Sequence, residues 1–233
     1  MDYSTIEVQT PRGEAVTLFH REGYTDLSTI GAIFNLWGTL HDEYGLAALH
    51  PSTFLDIGGH IGAVTIAVLV DNPECRAVIV EPLPENLAII EANLEATGVR
   101  HRATVVSGAI GKGKEQRVGY TLARVENADD IHRYVGSPVG RDYAGQAITS
   151  KVYRLGDLLD MLNPNGRIDL AKIDCEGCEW IALADKAASR VDLWRGEYHA
   201  GDPEQLVAML PGHDVIYEAH DHGATGMFTA VTR

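Results

Sequence analysis

Three cysteines in 233 residues are too few, and of the wrong parity, for a disulfide framework. They fit a reducing compartment, and Cys75, Cys175 and Cys178 are expected to be packing residues in a cytoplasmic protein. Basic residues are also scarce: 19 Lys and Arg face 33 Asp and Glu, for a formal net charge of −14. A field of that sign repels phosphate backbones and anionic lipid. No basic stripe interrupts it, since the longest basic cluster, Arg133 to Arg141, holds two arginines. No nucleic-acid or membrane-surface partner is therefore expected. Long apolar runs are missing too: Ile61 to Val70 is ten residues, against the roughly 20 that a spanning helix needs. Met1-Asp2-Tyr3-Ser4 has an acid where a secretory signal carries positive charge, and no apolar segment follows. What is present, 45% hydrophobic and 22% charged residues, is a globular composition and excludes a disordered or fibrous chain.

Ile6, Val8, Val16 and Leu18 alternate around Thr10-Pro11-Arg12-Gly13, the pattern of a hairpin. From Asp26 or Ser28, apolar residues recur at Ile30, Ile33, Phe34, Trp37 and Leu40, which predicts a helix running towards Gly45. Residues 1–50 thus read as an attachment to a core over 51–233. In the core, short buried strands (Thr53 to Ile57, Ala77 to Val80, Thr104 to Ile110) alternate with helices (Ala63 to Val70, Pro84 to Ala96). After a less regular insertion near 111–150, polar from Glu126 to Gly145 and flanked by two strands (Gln116 to Leu122, Ala147 to Tyr153), the rhythm resumes. It runs through a helix over Leu155 to Leu162, a strand over Ile168 to Ile173 and a helix from Glu179 to Ala188. A strand over Val191 to Tyr198 and a helix over Pro203 to Leu210 follow. Val215 to Ala219 and Met227 to Val231 then form an antiparallel pair, turning at His220-Asp221-His222-Gly223. Alternating strands and helices specify a doubly wound, mostly parallel α/β sheet, whose ligands sit beyond the carboxyl ends of the strands.

Four motifs fall at such ends. Asp56-Ile57-Gly58-Gly59-His60-Ile61-Gly62 is a glycine turn, yet His60 breaks the G-x-G-x-x-G of pyrophosphate binders and no P-loop lysine follows. It matches D-x-G-x-x-x-G, a turn on which nucleoside methyl donors lie. Glu81 closes the next strand, where a carboxylate can accept both ribose hydroxyls. Ser107-Gly108-Ala109 ends the third strand, where small side chains leave room for an adenine. Asp174-Cys175-Glu176-Gly177-Cys178-Glu179 sets three carboxylates in six residues, a set that caps a helix, binds a cation or faces a substrate. Its C-x-x-C lacks both the further ligands of a zinc site and a thioredoxin context. Glu197-Tyr198-His199 ends the following strand, and a histidine at that edge is a natural proton acceptor.

Together these residues resemble the FkbM family of S-adenosylmethionine-dependent methyltransferases, from about Ser28 to Arg233. The likeness is strongest in Phe54 to Gly62, Val80-Glu81-Pro82 with Glu85-Asn86-Leu87, Val106 to Gly111, and the D-x-E-G-x-E signature of Asp174 to Glu179. The resemblance implies a Rossmann-like class I methyltransferase with a seven-stranded sheet. It implies S-adenosylmethionine held by Tyr44, Asp56, Gly58, Gly59, His60, Gly62, Glu81, Pro82, Asn86, Ser107, Gly108, Ala109 and Asp174. It also implies a small-molecule methyl acceptor between the Asp174 strand end and the N-terminal helix. The chain departs from the family pattern at Gly59, where alanine is usual, and at His60, where asparagine is usual.

The expected chemistry is methylation of a hydroxyl on a small specialised metabolite such as a sugar or polyketide-type compound. His199 is the expected base, with Asp174 or Glu176 orienting it or the acceptor. A Mg²⁺ gathered by Asp174, Glu176 and Glu197 ranks second to that base. N-methylation of an amine, an inactive S-adenosylmethionine-binding module and an NAD(P)-dependent oxidoreductase are the competing readings. The last is disfavoured by His60 and the terminal hairpin.

Overall fold

A computed structural model of the protein describes residues 3–36, 38–113, 116–120, 146–220 and 225–233. The polar stretch Glu126 to Gly145 and the turn residues Asp221 to Gly223 lie outside the described residues. The chain opens with the predicted hairpin, β1 (Tyr3–Gln9) and β2 (Ala15–Arg21), paired from Tyr3↔Arg21 to Gln9↔Ala15. Helix α1 (Asp26–Ile33) follows. It stops twelve residues short of Gly45, because Asn35 turns extended and exchanges backbone hydrogen bonds with Gln9 at the end of β1. Of the apolar positions that continue the spacing past Phe34, Trp37 lies outside the described residues and Leu40 is exposed, just beyond an isolated bridge between Leu36 and Thr39.

The core elements are β3 (Thr53–Ile57), α2 (Ala63–Asp71), β4 (Arg76–Glu81), α3 (Pro84–Ala96), β5 (Ala103–Ser107) and β6 (Ala109–Ile110). Beyond them come β7 (Gln116–Tyr120), β8 (Gln146–Ser150), β9 (Val152–Tyr153), α4 (Leu155–Leu162), β10 (Ile168–Ile173), α5 (Glu179–Leu183), β11 (Val191–His199), α6 (Glu204–Met209), β12 (His213–His220) and β13 (Thr225–Thr232). The predicted third strand, Thr104 to Ile110, divides at Gly108: β5 stays in the main sheet, while β6 leaves it to pair with β9. A side chain at Gly108 would strike Tyr153 and the Lys151 carbonyl, so the small residue serves that exit. The predicted helix from Glu179 to Ala188 likewise splits into α5 and a 3-10 turn over Lys186–Arg190, capped by Asp185.

The main sheet has seven strands in the order β12-β13-β11-β10-β3-β4-β5. β5, β4, β3, β10 and β11 run parallel, and β13 is antiparallel to both of its neighbours. This is a Rossmann-like, doubly wound sheet. Alternate residues face opposite layers: Phe54 and Ile79 pack with α1, α2 and α3, whereas Leu55, Ile57, Val78 and Val80 pack with α4, α5 and α6. α2 is apolar all round, with Ala63 to Leu69 buried, as befits a helix enclosed between the sheet and the N-terminal elements. Among the described residues, no helix is long and apolar enough to cross a membrane. The strand order reverses between β3 and β10, and it is there that a doubly wound sheet opens its binding crevice.

Candidate active site

At the reversal point, the end of β3 meets the end of β10. Gly58 has φ +83°, and a Cβ there would lie 1.8 Å from the Asp174 carbonyl oxygen. Only glycine allows this contact. Gly62 caps α2 in the left-handed region, and His60 shares that region at φ +49°. Beneath the turn, Asp56 is fully buried: its Oδ2 accepts from Thr65 at 2.8 Å, and its Oδ1 lies 3.6 Å from Lys172 Nζ. The Lys172 ammonium donates to the Gly58 carbonyl at 2.8 Å and stands 3.7 Å from Asp174. Burial opposes its charge, but Asp174 and Asp56 outweigh burial and hold its pKa above the ordinary lysine value. Asp56 and Lys172 thus shape the turn from below, and Asp56 presents no surface to a ligand. Lys172 is absent from the sequence-predicted set; its signal is a lone cation among the apolar Leu170, Ala171 and Ile173 of β10.

Glu81 stands at the end of β4, with Oε2 accepting from the His60 amide and Oε1 from the Leu83 amide, both at 2.9 Å. Each carboxylate oxygen keeps a second lone pair. Asn86, on the first turns of α3, is buried beside it and leaves its Oδ1 without a partner. Pro82 is half-buried, and Ser107 is exposed at the end of β5, paired with Glu81 across the ladder. A crevice with a glycine turn, a buried acid at the next strand end and an open third strand end fits a nucleoside. Ala109 lies with β6, where it packs against Val152 and Ile148, off the main sheet.

On the other side of Gly58 lies a cluster of acids. Tyr44, buried, donates to Asp174 Oδ2 at 3.2 Å. Glu43 borders a cavity of about 620 Å³ that Leu27, Gly31, Ala32 and Leu36 line from α1 and the segment after it. His199, at the end of β11, gives Nδ1 to the buried Glu179 at 2.8 Å and points Nε2 at Glu176 (3.5 Å) and Glu197 (3.7 Å). Burial alone would lower the imidazole pKa, but the Glu179 hydrogen bond and the charges of Glu176, Glu179 and Asp174 raise it to about 9. His199 is therefore an imidazolium at neutral pH and holds no lone pair for a proton, which counts against its expected role as base. Burial, helped by Asp174, lifts both Glu176 and Glu197 to about 7 in spite of His199. Asp174, Glu197 and His199 bring donor atoms within 4.8 Å of one another, so they could hold a metal ion once His199 gives up its Nε2 proton. His199 replaces Glu176 in the predicted trio. Cys175 and Cys178 are not separate packing thiols: a disulfide joins them, because Glu176 and Gly177 turn left-handed and bring the two Cα atoms to 5.5 Å.

Residues 56–223 match the family model described as the methyltransferase FkbM domain. The chain belongs to the FkbM methyltransferase family. No curated protein matches its sequence. Solved structures of similar fold include the precorrin-6y C5,15-methyltransferase from Geobacter metallireducens, at 17% identity over 82% of this chain and 85% of that one, TM-score 0.49. An O-methyltransferase from Bacillus cereus, in complex with SAH, is 15% identical over 78% and 74%, TM-score 0.46. The O-methyltransferase TomG from Streptomyces achromogenes, in complex with SAM, is 14% identical over 78% and 74%, TM-score 0.46.

Both departures of this FkbM protein from the family pattern have a physical reason. At Gly59 a Cβ would come within 2.3 Å of Ile79 Cγ2, so the methyl of the usual alanine is supplied by the neighbouring strand. His60 accepts the left-handed conformation, as Asn does, and binds outward. Its Nδ1 lies 3.2 Å from Thr29 Oγ1 and its Nε2 3.4 Å from Asp26. Asp26 in turn holds Arg21 through two side-chain contacts of 2.7 and 2.9 Å. The glycine turn is thereby tied to the hairpin and α1, a link the sequence motifs do not announce.

Proposed function

We propose that this methyltransferase uses S-adenosylmethionine to methylate a hydroxyl of a small specialised metabolite, such as a sugar or polyketide-type compound, in the cytoplasm. The observation that carries the reading is the junction at Gly58, which sets the turn and Glu81 on one side and the Asp174, Glu197 and His199 edge on the other. The backbone of the Gly58 to Gly62 turn would lie against the donor, and the remaining lone pairs of Glu81 would accept its ribose hydroxyls. Bound there, S-adenosylmethionine supplies an activated methyl group on a sulfonium, so the protein's own task is alignment and proton removal. Asp174, fixed by Tyr44 and facing Lys172, orients the acceptor. Glu197, rising from the rigid end of β11, takes the hydroxyl proton. The His199 imidazolium, held by Glu179, then balances the charge that gathers as the proton moves.

A second reading, N-methylation of an amine, draws support from the surplus of Glu43, Asp174, Glu176 and Glu197 over Lys172 and His199, a field that favours a cationic acceptor. Isothermal titration with S-adenosylhomocysteine, with NADH as control, tests the donor half. Saturable binding of the first alone is expected; binding of NADH alone would return the chain to oxidoreductase chemistry, and silence towards both would favour an inactive module. A panel of hydroxyl and amine acceptors, with and without Mg²⁺, then separates the two acceptor readings.

A further inference from the structure

We propose that Cys175 and Cys178 form a reversible oxidation site whose disulfide holds Asp174 and Glu176 in place, so that the site is assembled in the oxidised protein and loosened in the reduced one. This rests on the reading of those carboxylates as the acceptor side. The disulfide closes a ring around Glu176 and Gly177, both left-handed at φ +57° and +108°. A glutamate in that region costs roughly 1–2 kcal/mol, and the turn lies between β10 and α5 rather than inside either, so the cross-link adds to the Cys175 amide contact with Glu179 in holding it. Three parts of the site depend on the ring. Glu176 carries the carboxylate nearest His199 Nε2. The Cys175 amide donates to Glu179 Oε1 at 3.3 Å, the same oxygen that holds His199 Nδ1. The Asp174 carbonyl and Cys175 Cα form the wall against which Gly58 closes, at 1.8 and 3.4 Å from a Cβ placed there.

Access is one-sided, because Cys178 is buried and Cys175 only half-buried. An external thiolate attacks the Cys175 sulfur, the S–S bond breaks, and Cys178 leaves as a thiolate that takes up a proton. A second external thiolate attacks the mixed disulfide, freeing the Cys175 thiol and a small-molecule disulfide. Two electrons and two protons enter the protein in total. A disulfide of the glutathione class reverses the exchange.

The test uses the wild-type chain equilibrated in dithiothreitol or in glutathione disulfide, with thiols counted by alkylation and mass spectrometry. Amide hydrogen exchange over residues 174–179 and 57–62, and S-adenosylhomocysteine affinity, are read in each form. Reduction is expected to speed exchange in both segments at least fivefold and to weaken affinity at least threefold, both reversed by glutathione disulfide. The double variant C175S/C178S should behave as the reduced form in either buffer. Equal exchange in the two forms, or free thiols at both Cys175 and Cys178, beside that of Cys75, after treatment with glutathione disulfide, would overturn the proposal. If S-adenosylhomocysteine binds neither form, it is the functional reading that fails, and the exchange contrast still decides the switch.

Discussion

Gly59 shows how one missing methyl can be a packing decision rather than a conformational one. Its φ is not in the left-handed region, so alanine suits the backbone, but Ile79 Cγ2 already occupies the space. Gly59→Ala should destabilise the protein by about 1–3 kcal/mol, the usual cost of overfilling a packed core. Ile79→Leu, which removes the β-branch methyl, should recover most of it. Urea unfolding of the two variants and their combination checks the coupling, and additive losses would show that the two side chains do not compete. Lys172 is the opposite case, a residue whose charge is the structure. Lys172→Met keeps the volume yet strips the buried Asp56 and the Gly58 carbonyl of their partner, at a cost of about 3–5 kcal/mol. Cofactor affinity should fall with it, since Gly58 sits on that bond; denaturant midpoint and calorimetric affinity measure the two effects. Residues with a motif around them, Gly58, Glu81 and Asp174, were legible in the sequence. Lys172 and Ile79 were not, because their roles arise only when β3, β4 and β10 lie side by side.

At the scale of elements, the hairpin and α1 act as a brace for the Gly58 to Gly62 turn. Arg21 and Asp26 are both buried, and the carboxylate takes the Arg21 amide at 2.8 Å as well as the guanidinium. Burial disfavours the Asp26 charge, but hydrogen bonds to His60 and Arg21 overcome it and hold the pKa well below the ordinary carboxylate range. A depressed folded pKa contributes stability that is fully present above the unfolded value of about 3.9 and is lost as pH falls towards the folded one. Asp26→Asn should therefore cost about 3–5 kcal/mol at neutral pH, because it leaves Arg21 buried and unpaired. It should also flatten the acid limb of the stability curve below pH 4. Equilibrium unfolding from pH 2 to pH 7 tests both, and an unchanged acid limb would remove Asp26 from the brace. The hairpin was readable from alternation alone and α1 from its periodicity. The end of α1 was not, since the Asn35 to Gln9 pairing that ends it is a contact between elements, invisible to local spacing.

For the whole molecule, five of the acids that make this chain negative, Glu43, Asp174, Glu176, Glu179 and Glu197, stand together at the candidate site, and that leaves a mark on its stability. Glu176 and Glu197 hold their protons to about pH 7 in the folded protein, whereas an unfolded glutamate releases its proton near 4.3. Between these values the folded state binds more protons, so stability falls as pH rises. His199 adds a second window of the same sign: raised to about 9, it contributes stability that is complete below its unfolded value near 6.5 and is lost as pH rises through 9. Glu43 and Asp174 face the same cluster and add to its negative charge, while Lys172 stays charged throughout and cannot offset the trend. The free protein, in EDTA so that no cation sits on Asp174, Glu197 and His199, should melt at least about 4 °C higher at pH 5.5 than at pH 8.5. The pair of changes Glu176→Gln and Glu197→Gln should remove most of that difference. A Tm that is level across the range would mean both glutamates are ionised well below pH 7, and Glu197 would then be too weak a base for the role proposed for it. A slope that the double variant abolishes would tie the proton inventory of the folded chain to the carboxylate proposed to receive the acceptor's proton.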